Sequence, residues 1–255
     1  MKKEHRLPMD NFLYRNQEWL FEQMIVQGKT ETQLAQEFGW TKRVIEKWAQ
    51  IYQLGDNNYR NIKKLTSIQE SLVRGSLLGD GHITQEGIFI VSHCETQKDY
   101  LFWKYDLLKD CCKKEPTYYP ATIKKVRNKD CNIQPCYRLN TRKIAQLAAI
   151  KKIPKIEIIR NLTDFEFAIW ILDDGYRDKW TWDLCLGTLT TEEINEVEKF
   201  LQNKQLSYVY RKDRRYIRFH NQPTRIIDQM ILDNIPNHLD IIKKKIRKGG
   251  CLQNG

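Results

Sequence analysis

Three stretches near the start of the chain place apolar residues at helical spacing and stop at or beside glycine. Trp19, Leu20, Met24 and Ile25 fall largely on one stripe of a predicted helix from Asn16 to Val26, with Gly28 as its stop. Thr30, with Gln33 three residues on, opens a second predicted helix that carries Leu34 and Ala35 and closes at Phe38 before Gly39. Thr41 caps a third, Lys42 to Tyr52, which offers Val44, Ile45, Trp48 and Ile51 to a core. The stretch QLGDNNYRNIKKL then breaks the periodicity, which sets a first domain at 1–56 and a linker at 57–65.

A longer pattern follows, and it occurs twice. Ser67 to Gly81 has helical apolar spacing through Ile68, Leu72, Val73, Leu77 and Leu78, and ends in Asp80-Gly81. Gly75 and Gly79 share one face of this helix at a cost of roughly 1 kcal/mol each, which makes sense if another backbone approaches closely. The stretch LTDFEFAIWILDDG repeats the plan: Thr163 caps, Glu166 completes a capping box, and an apolar helix ends in Asp173-Asp174-Gly175. The two Asp-Gly pairs are 94 residues apart. Each is followed by a hairpin, an amphipathic helix, a basic hairpin and a closing helix, at 82–94, 95–110, 117–140 and 142–150, then at 176–190, 191–204, 206–220 and 223–233. An internal duplication, 66–152 and 153–248 with a short tail at 249–255, is the economical account.

Charge sharpens the picture. The chain of 255 residues carries 43 Lys+Arg against 32 Asp+Glu, and residues 1–56 hold eight of each sign, so the whole excess of +11 lies beyond them. Such an imbalance suits a polyanionic partner. The basic side chains gather on the second hairpin of each repeat: Lys124, Lys125, Arg127, Lys129 and Arg138 on one, Arg211, Lys212, Arg214, Arg215 and Arg218 on the other. A period of two sends alternate side chains to one face, and Tyr119, Tyr208 and Tyr210 add apolar or water-mediated contacts there. Seven cysteines at irregular spacing argue against a disulfide framework and for a reduced compartment. Apolar runs fall far short of the ~18 residues that span a bilayer, and the start MKKEHRLPMDNF lacks the apolar core of a secretory signal. Those features exclude a membrane partner and predict an intracellular protein.

The segment GKTETQLAQEFGWTKRVIEKWAQIYQL resembles the helix-turn-helix of transcriptional regulators and transposases, with Ala35 at the tight crossing and Gly39 in the turn. The resemblance implies that the third helix enters a major groove and that Thr41, Lys42, Arg43, Glu46 and Lys47 face phosphates and bases. A three-helix packing module is the alternative.

VRGSLLGDG (73–81) and FAIWILDDG (167–175) resemble the paired motifs of single-chain LAGLIDADG homing endonucleases. SHCETQKDYLFWKYDLL and LGTLTTEEINEVEKFL resemble the intron-encoded branch, with coverage of about 66–246. The resemblance implies an α+β fold of two pseudo-twofold αββαββα halves, whose antiparallel sheets form a saddle over duplex DNA, preceded by the small all-α domain. It implies a monomer that makes a metal-dependent staggered double-strand cut, in a bacterial or phage cytoplasm or an organelle. Asp80 and Asp174 become the metal ligands, aided by the backbone carbonyls of Gly79 and Asp173; the Asp173 side chain is left to packing or a second layer. Hard oxygen donors imply Mg²⁺ or another divalent cation, with Ca²⁺ as a non-cleaving substitute. Gln97 matches the position where the family orients attacking water, and its counterpart near Thr191 departs from the pattern. His220 stands where the family often has a cation near the scissile phosphate, with Asn140 and Lys143 as looser matches. Gly75 has no glycine counterpart at Ile169, and Arg74 replaces a small residue, so an asymmetric helix crossing is expected. Two rival functions remain on sequence grounds: a maturase acting on its own intron RNA, and a non-cleaving DNA-binding regulator.

Overall fold

The computed structural model describes residues 13–27, 29–52, 54, 64–126, 129–178 and 180–247. Gly28, Arg127, most of the predicted linker and the 249–255 tail therefore lie outside the described residues.

The three N-terminal helices form where periodicity and capping place them. α1 (Gln17–Phe21) is capped by the Asn16 side chain, which accepts from the Trp19 N–H, and passes directly into a π-helical turn, Glu22–Val26. α2 (Glu31–Phe38) begins with the full Thr30/Gln33 capping box and ends at Gly39, whose φ of 70° is the left-handed conformation that favours glycine. α3 (Lys42–Ile51) starts after Thr41, but the Thr41 hydroxyl makes no capping bond, so that part of the expectation is corrected. Leu20, Leu34, Ile45, Ala49 and Leu54 bury a small core of their own, ringed by Trp19, Phe38 and Trp40.

The remainder repeats one plan. α4 (Ser67–Leu78) leads to β1 (His82–Ile83), β2 (Phe89–Cys94), α5 (Lys98–Leu108), β3 (Thr117–Tyr119), β4 (Thr122–Val126), β5 (Lys129–Ile133), β6 (Cys136–Asn140) and α6 (Ala145–Lys152). After α7 (Lys155–Arg160), α8 (Asp164–Asp174) leads to β7 (Gly175–Arg177), β8 (Thr181–Cys185), α9 (Thr191–Asn203), β9 (Val209–Arg211), β10 (Tyr216–His220) and α10 (Gln222–Asn234). α11 (Asp240–Ile242) runs on as a π turn to Arg247. The first four-stranded sheet has the order β1-β2-β6-β3 and the second β7-β8-β10-β9, with every pairing antiparallel. In each, the fourth strand pairs with the second and the third lies at the edge, the same topology twice.

One difference from the expected two-stranded basic unit at 117–140 has a clear cause. Pro120 and Pro135 cannot donate to a ladder, and they divide the segment into four strands: β3 and β6 join the sheet while β4 and β5 stand apart as a two-stranded ribbon.

α4 and α8 pack against each other at the centre, with Leu72, Val73, Phe167, Ala168 and Trp170 in one core that both halves share. Both helices begin with complete capping boxes, Thr66/Gln69 and Thr163/Glu166. Gly75 does what its cost implies, whereas Gly79, expected on the same helix face, falls just past the helix end as its non-helical cap. A Cβ on Gly75 would lie 2.8 Å from the Glu166 carbonyl oxygen and 2.9 Å from the Ile169 Cβ. The crossing is asymmetric, since glycine on α4 faces isoleucine on α8, and Arg74 reaches across to the buried Glu166 carboxylate at 3.7 Å.

Candidate active site

Crossing at this distance brings the two acidic helix ends together. α4 stops at Leu78 and Gly79 turns the chain, so Asp80 leaves the helix end with its side chain 40% exposed. α8 continues two residues further and keeps Asp173 and Asp174 within the helix.

The two adjacent aspartates have different environments. The Asp173 side chain is fully buried, and Lys104 Nζ donates to its two oxygens at 2.8 and 2.9 Å. The Tyr100 hydroxyl donates to it at 3.0 Å, and Lys104 makes a further bond to Ser76 Oγ at 3.2 Å. Burial pulls the Lys104 ammonium below its ordinary pKa while Asp173 pulls it back, and burial pushes the Tyr100 phenol well up. Asp174 is only partly buried, and desolvation together with the charges of Asp80 and Asp173 raises its carboxyl to about 6; Trp170 and Lys155 act in the opposite sense. The Asp174 carboxylate therefore ionises against the charge of two neighbouring carboxylates, an environment that a bound cation would relieve.

Two further groups border this cluster, neither visible in the motifs. His93, on β2, lies 3.3 Å from Asp80 Oδ2 through Nδ1 and 3.8 Å from Asp173 Oδ1 through Nε2. Burial and Lys104 together lower its pKa, which favours the neutral imidazole. Lys245, in the C-terminal π turn, donates to the carbonyl oxygens of Leu172 and Gly175, both at 2.7 Å. It thereby satisfies the end of the second motif helix, where the dipole is negative, and its own pKa is lowered by burial against the pull of Asp173, Asp80 and Asp174.

The remaining sequence-predicted residues are more dispersed. Gln97 ends the short turn before α5 and is half-buried. His220 is exposed at the end of β10, paired in register with Thr181. Lys143 is drawn to Glu86 at 2.9 Å, and Asn140 holds a buried Oδ1 without a hydrogen-bond partner among the described residues. Of the basic hairpin residues, Arg218 is held by Asp183 at 2.5 Å, which raises its pKa further, and Arg215 donates to the Leu189 carbonyl. Arg211, Lys212 and Arg214 are exposed around the β9–β10 turn. Arg138 bonds Ser92 Oγ at 3.1 Å and covers the Tyr119 ring. The side chains of Lys124, Lys125 and Lys129 lie outside the described residues. Thr41, Lys42, Arg43 and Lys47 are all exposed at the start of α3 and along its outer face, with Lys42 paired to Glu46 at 3.1 Å.

The family sequence model for LAGLIDADG DNA endonucleases matches residues 70–227, a span that begins in one motif helix and takes in the other. The chain belongs to the LAGLIDADG DNA endonuclease family. Among solved structures it is similar to the homing endonuclease I-WcaI bound to its DNA recognition sequence, with a TM-score of 0.59 and 20% identity over 77% of this chain and 96% of that one. A second similarity is to I-DmoI in complex with DNA and Mn, with a TM-score of 0.38 and 12% identity over 65% of this chain and 97% of that one. No curated protein matches the chain. The first likeness shows the LAGLIDADG fold, two motif helices under paired antiparallel sheets, for this chain. No helix among the described residues is long and apolar enough to cross a membrane.

Proposed function

We propose that this LAGLIDADG protein is a monomeric, site-specific homing endonuclease that makes a Mg²⁺-dependent staggered double-strand cut in DNA. The observation that carries this reading is the meeting of Asp80 with the Asp173-Asp174 pair, one acidic helix end from each half, at a crossing closed by Gly75 and Gly79. The donor set fits a hard divalent cation: Asp80 and Asp174 would hold it, with the Gly79 and Asp173 carbonyls as further oxygens. Such a cation, when bound, stabilises charge on the attacking and leaving oxygens of a phosphodiester. The exposed Asp80 carboxylate can face substrate, whereas the Asp173 carboxylate, saturated by Lys104 and Tyr100, serves the architecture. Lys245 holds the Asp174 turn in place through the Leu172 and Gly175 carbonyls.

In the same reading Gln97 orients attacking water and His220 meets a phosphate. The hairpin cations follow the DNA backbone and major groove, with Arg211, Lys212 and Arg214 as the exposed set. The N-terminal helices add a helix-turn-helix contact through Thr41, Arg43 and Lys47, which lengthens the recognised site on one side.

Selection of cleaved duplexes from a randomised DNA library tests this. Cutting should require Mg²⁺, fail with Ca²⁺, and disappear in the Asp80→Asn/Asp174→Asn double variant. Binding without cutting under all metal conditions would instead mark a regulator.

A further inference from the structure

His93 occupies an unusual place for a polar side chain. β2 alternates buried and half-buried residues from Phe89 to Cys94, and His93 falls in the buried phase with Phe89 and Val91. Its imidazole packs on the Tyr100 ring at 5.0 Å between centroids. Among the described residues neither ring nitrogen has a hydrogen-bond partner of good geometry, and the nearest acids are Asp80 at one nitrogen and Asp173 at the other. Leaving a buried polar group without a partner is costly, and the contact to Asp80 at 3.3 Å is the nearest one that could satisfy it.

The two acids that face the imidazole are held differently. Asp173 is immobilised by Lys104 on its two oxygens and by Tyr100. Asp80 is 40% exposed and has no such restraint from Lys104 or Tyr100. We infer that His93 is a positioning residue that sets the orientation of the Asp80 carboxylate toward metal, held in place by its burial in β2 and its packing on the Tyr100 ring. This rests on the metal-centre reading above. Because the Tyr100 ring under His93 belongs to the first repeat and its hydroxyl donates to Asp173 of the second, the orientation of Asp80 depends on the docking of the two halves. The other carboxylate, Asp174, sits at a turn held by Lys245 instead, so the two sites are unequal.

Asp80, His93 and Asp173 also bring three donor atoms within 4.8 Å of one another, as a nitrogen-containing metal site would. The Lys104 ammonium already occupies Asp173, and that placement favours an indirect role for the imidazole.

The full-length protein, titrated with Mn²⁺ by electron paramagnetic resonance and with Ca²⁺ by calorimetry, tests the assignment without relying on cleavage. His93→Phe keeps the volume and removes the donor; it should weaken both ions about 10- to 100-fold, the usual effect of losing a residue that orients a ligand. His93→Gln restores an N–H donor and should recover most of that loss. Wild-type affinities for both ions in His93→Phe would overturn the proposal. So would a loss confined to Mn²⁺ in both variants, which would make the imidazole itself a ligand. Asp80→Asn is the control: if wild-type binding does not depend on Asp80, the metal-centre reading fails and this proposal with it, an outcome distinct from unchanged binding in His93→Phe alone.

Discussion

Gly79 and Asp173 approach so closely that a Cβ on the glycine would lie 2.5 Å from the Asp173 Cβ. No side chain can be accommodated there without moving the second motif helix. Gly79→Ala and Gly75→Ala should each destabilise the fold by about 1–3 kcal/mol, the usual cost of overpacking. Gly79→Ala should also depress cleavage beyond its stability effect, since the displaced residue adjoins Asp174. Urea denaturation beside cleavage rates at a temperature where both variants are folded measures the two effects.

Lys104→Met leaves the buried Asp173 carboxylate unpaired and should cost about 3–5 kcal/mol. Pairing it with Asp173→Leu should recover most of that loss. A double-mutant cycle in chemical denaturation gives the coupling directly, and additive losses would show that the ion pair contributes nothing as a pair.

The raised carboxyl of Asp174, about 6 against an ordinary 3.8, has a defined sign. The folded state holds this proton more tightly than the unfolded state, so the group's stabilising contribution is lost as pH rises through about 6. Metal and proton compete for the carboxylate. Melting-temperature shifts on adding Mg²⁺ should therefore be larger at pH 7.5 than at pH 5, and Asp174→Asn should remove the difference.

Lys245→Met removes two carbonyl contacts at the end of the second motif helix. Cleavage of one strand should slow more than the other, because among the described residues no lysine of this segment donates to the Asp80 helix end. Supercoiled plasmid bearing the selected site should then accumulate nicked circles. Equal slowing of both strands would argue against a local role.

Arg43→Ala/Lys47→Ala on the outer face of α3 should weaken DNA binding and reduce its salt dependence by about one unit of slope per residue. Cut positions should stay unchanged, which primer-extension mapping would verify. Relocated cuts would mean that the N-terminal helices set the register.

Local chemistry made much of this protein legible in advance. Apolar spacing and capping boxes at Thr30, Thr66 and Thr163 depend on residues three or four apart, so the helices and the repeated order of elements could be read from the chain. So could Gly75, whose propensity cost makes sense only with a close neighbour, whereas Gly79 lies just past the end of α4 and pays no such cost. The environment of the carboxylates could not. Lys104 meets Asp173 across 69 residues, and Lys245 meets Leu172 across 73. His93 looks like any alternating residue of β2 until its two acidic neighbours arrive from different helices. Two adjacent aspartates that are chemically alike in sequence thus diverge in the folded protein, one sealed by an ammonium and the other left partly open. Desolvation and charge pairing act through space, and only the tertiary packing that sets Lys104 of α5 and Lys245 of the C-terminal turn against α8 decides which carboxylate experiences them.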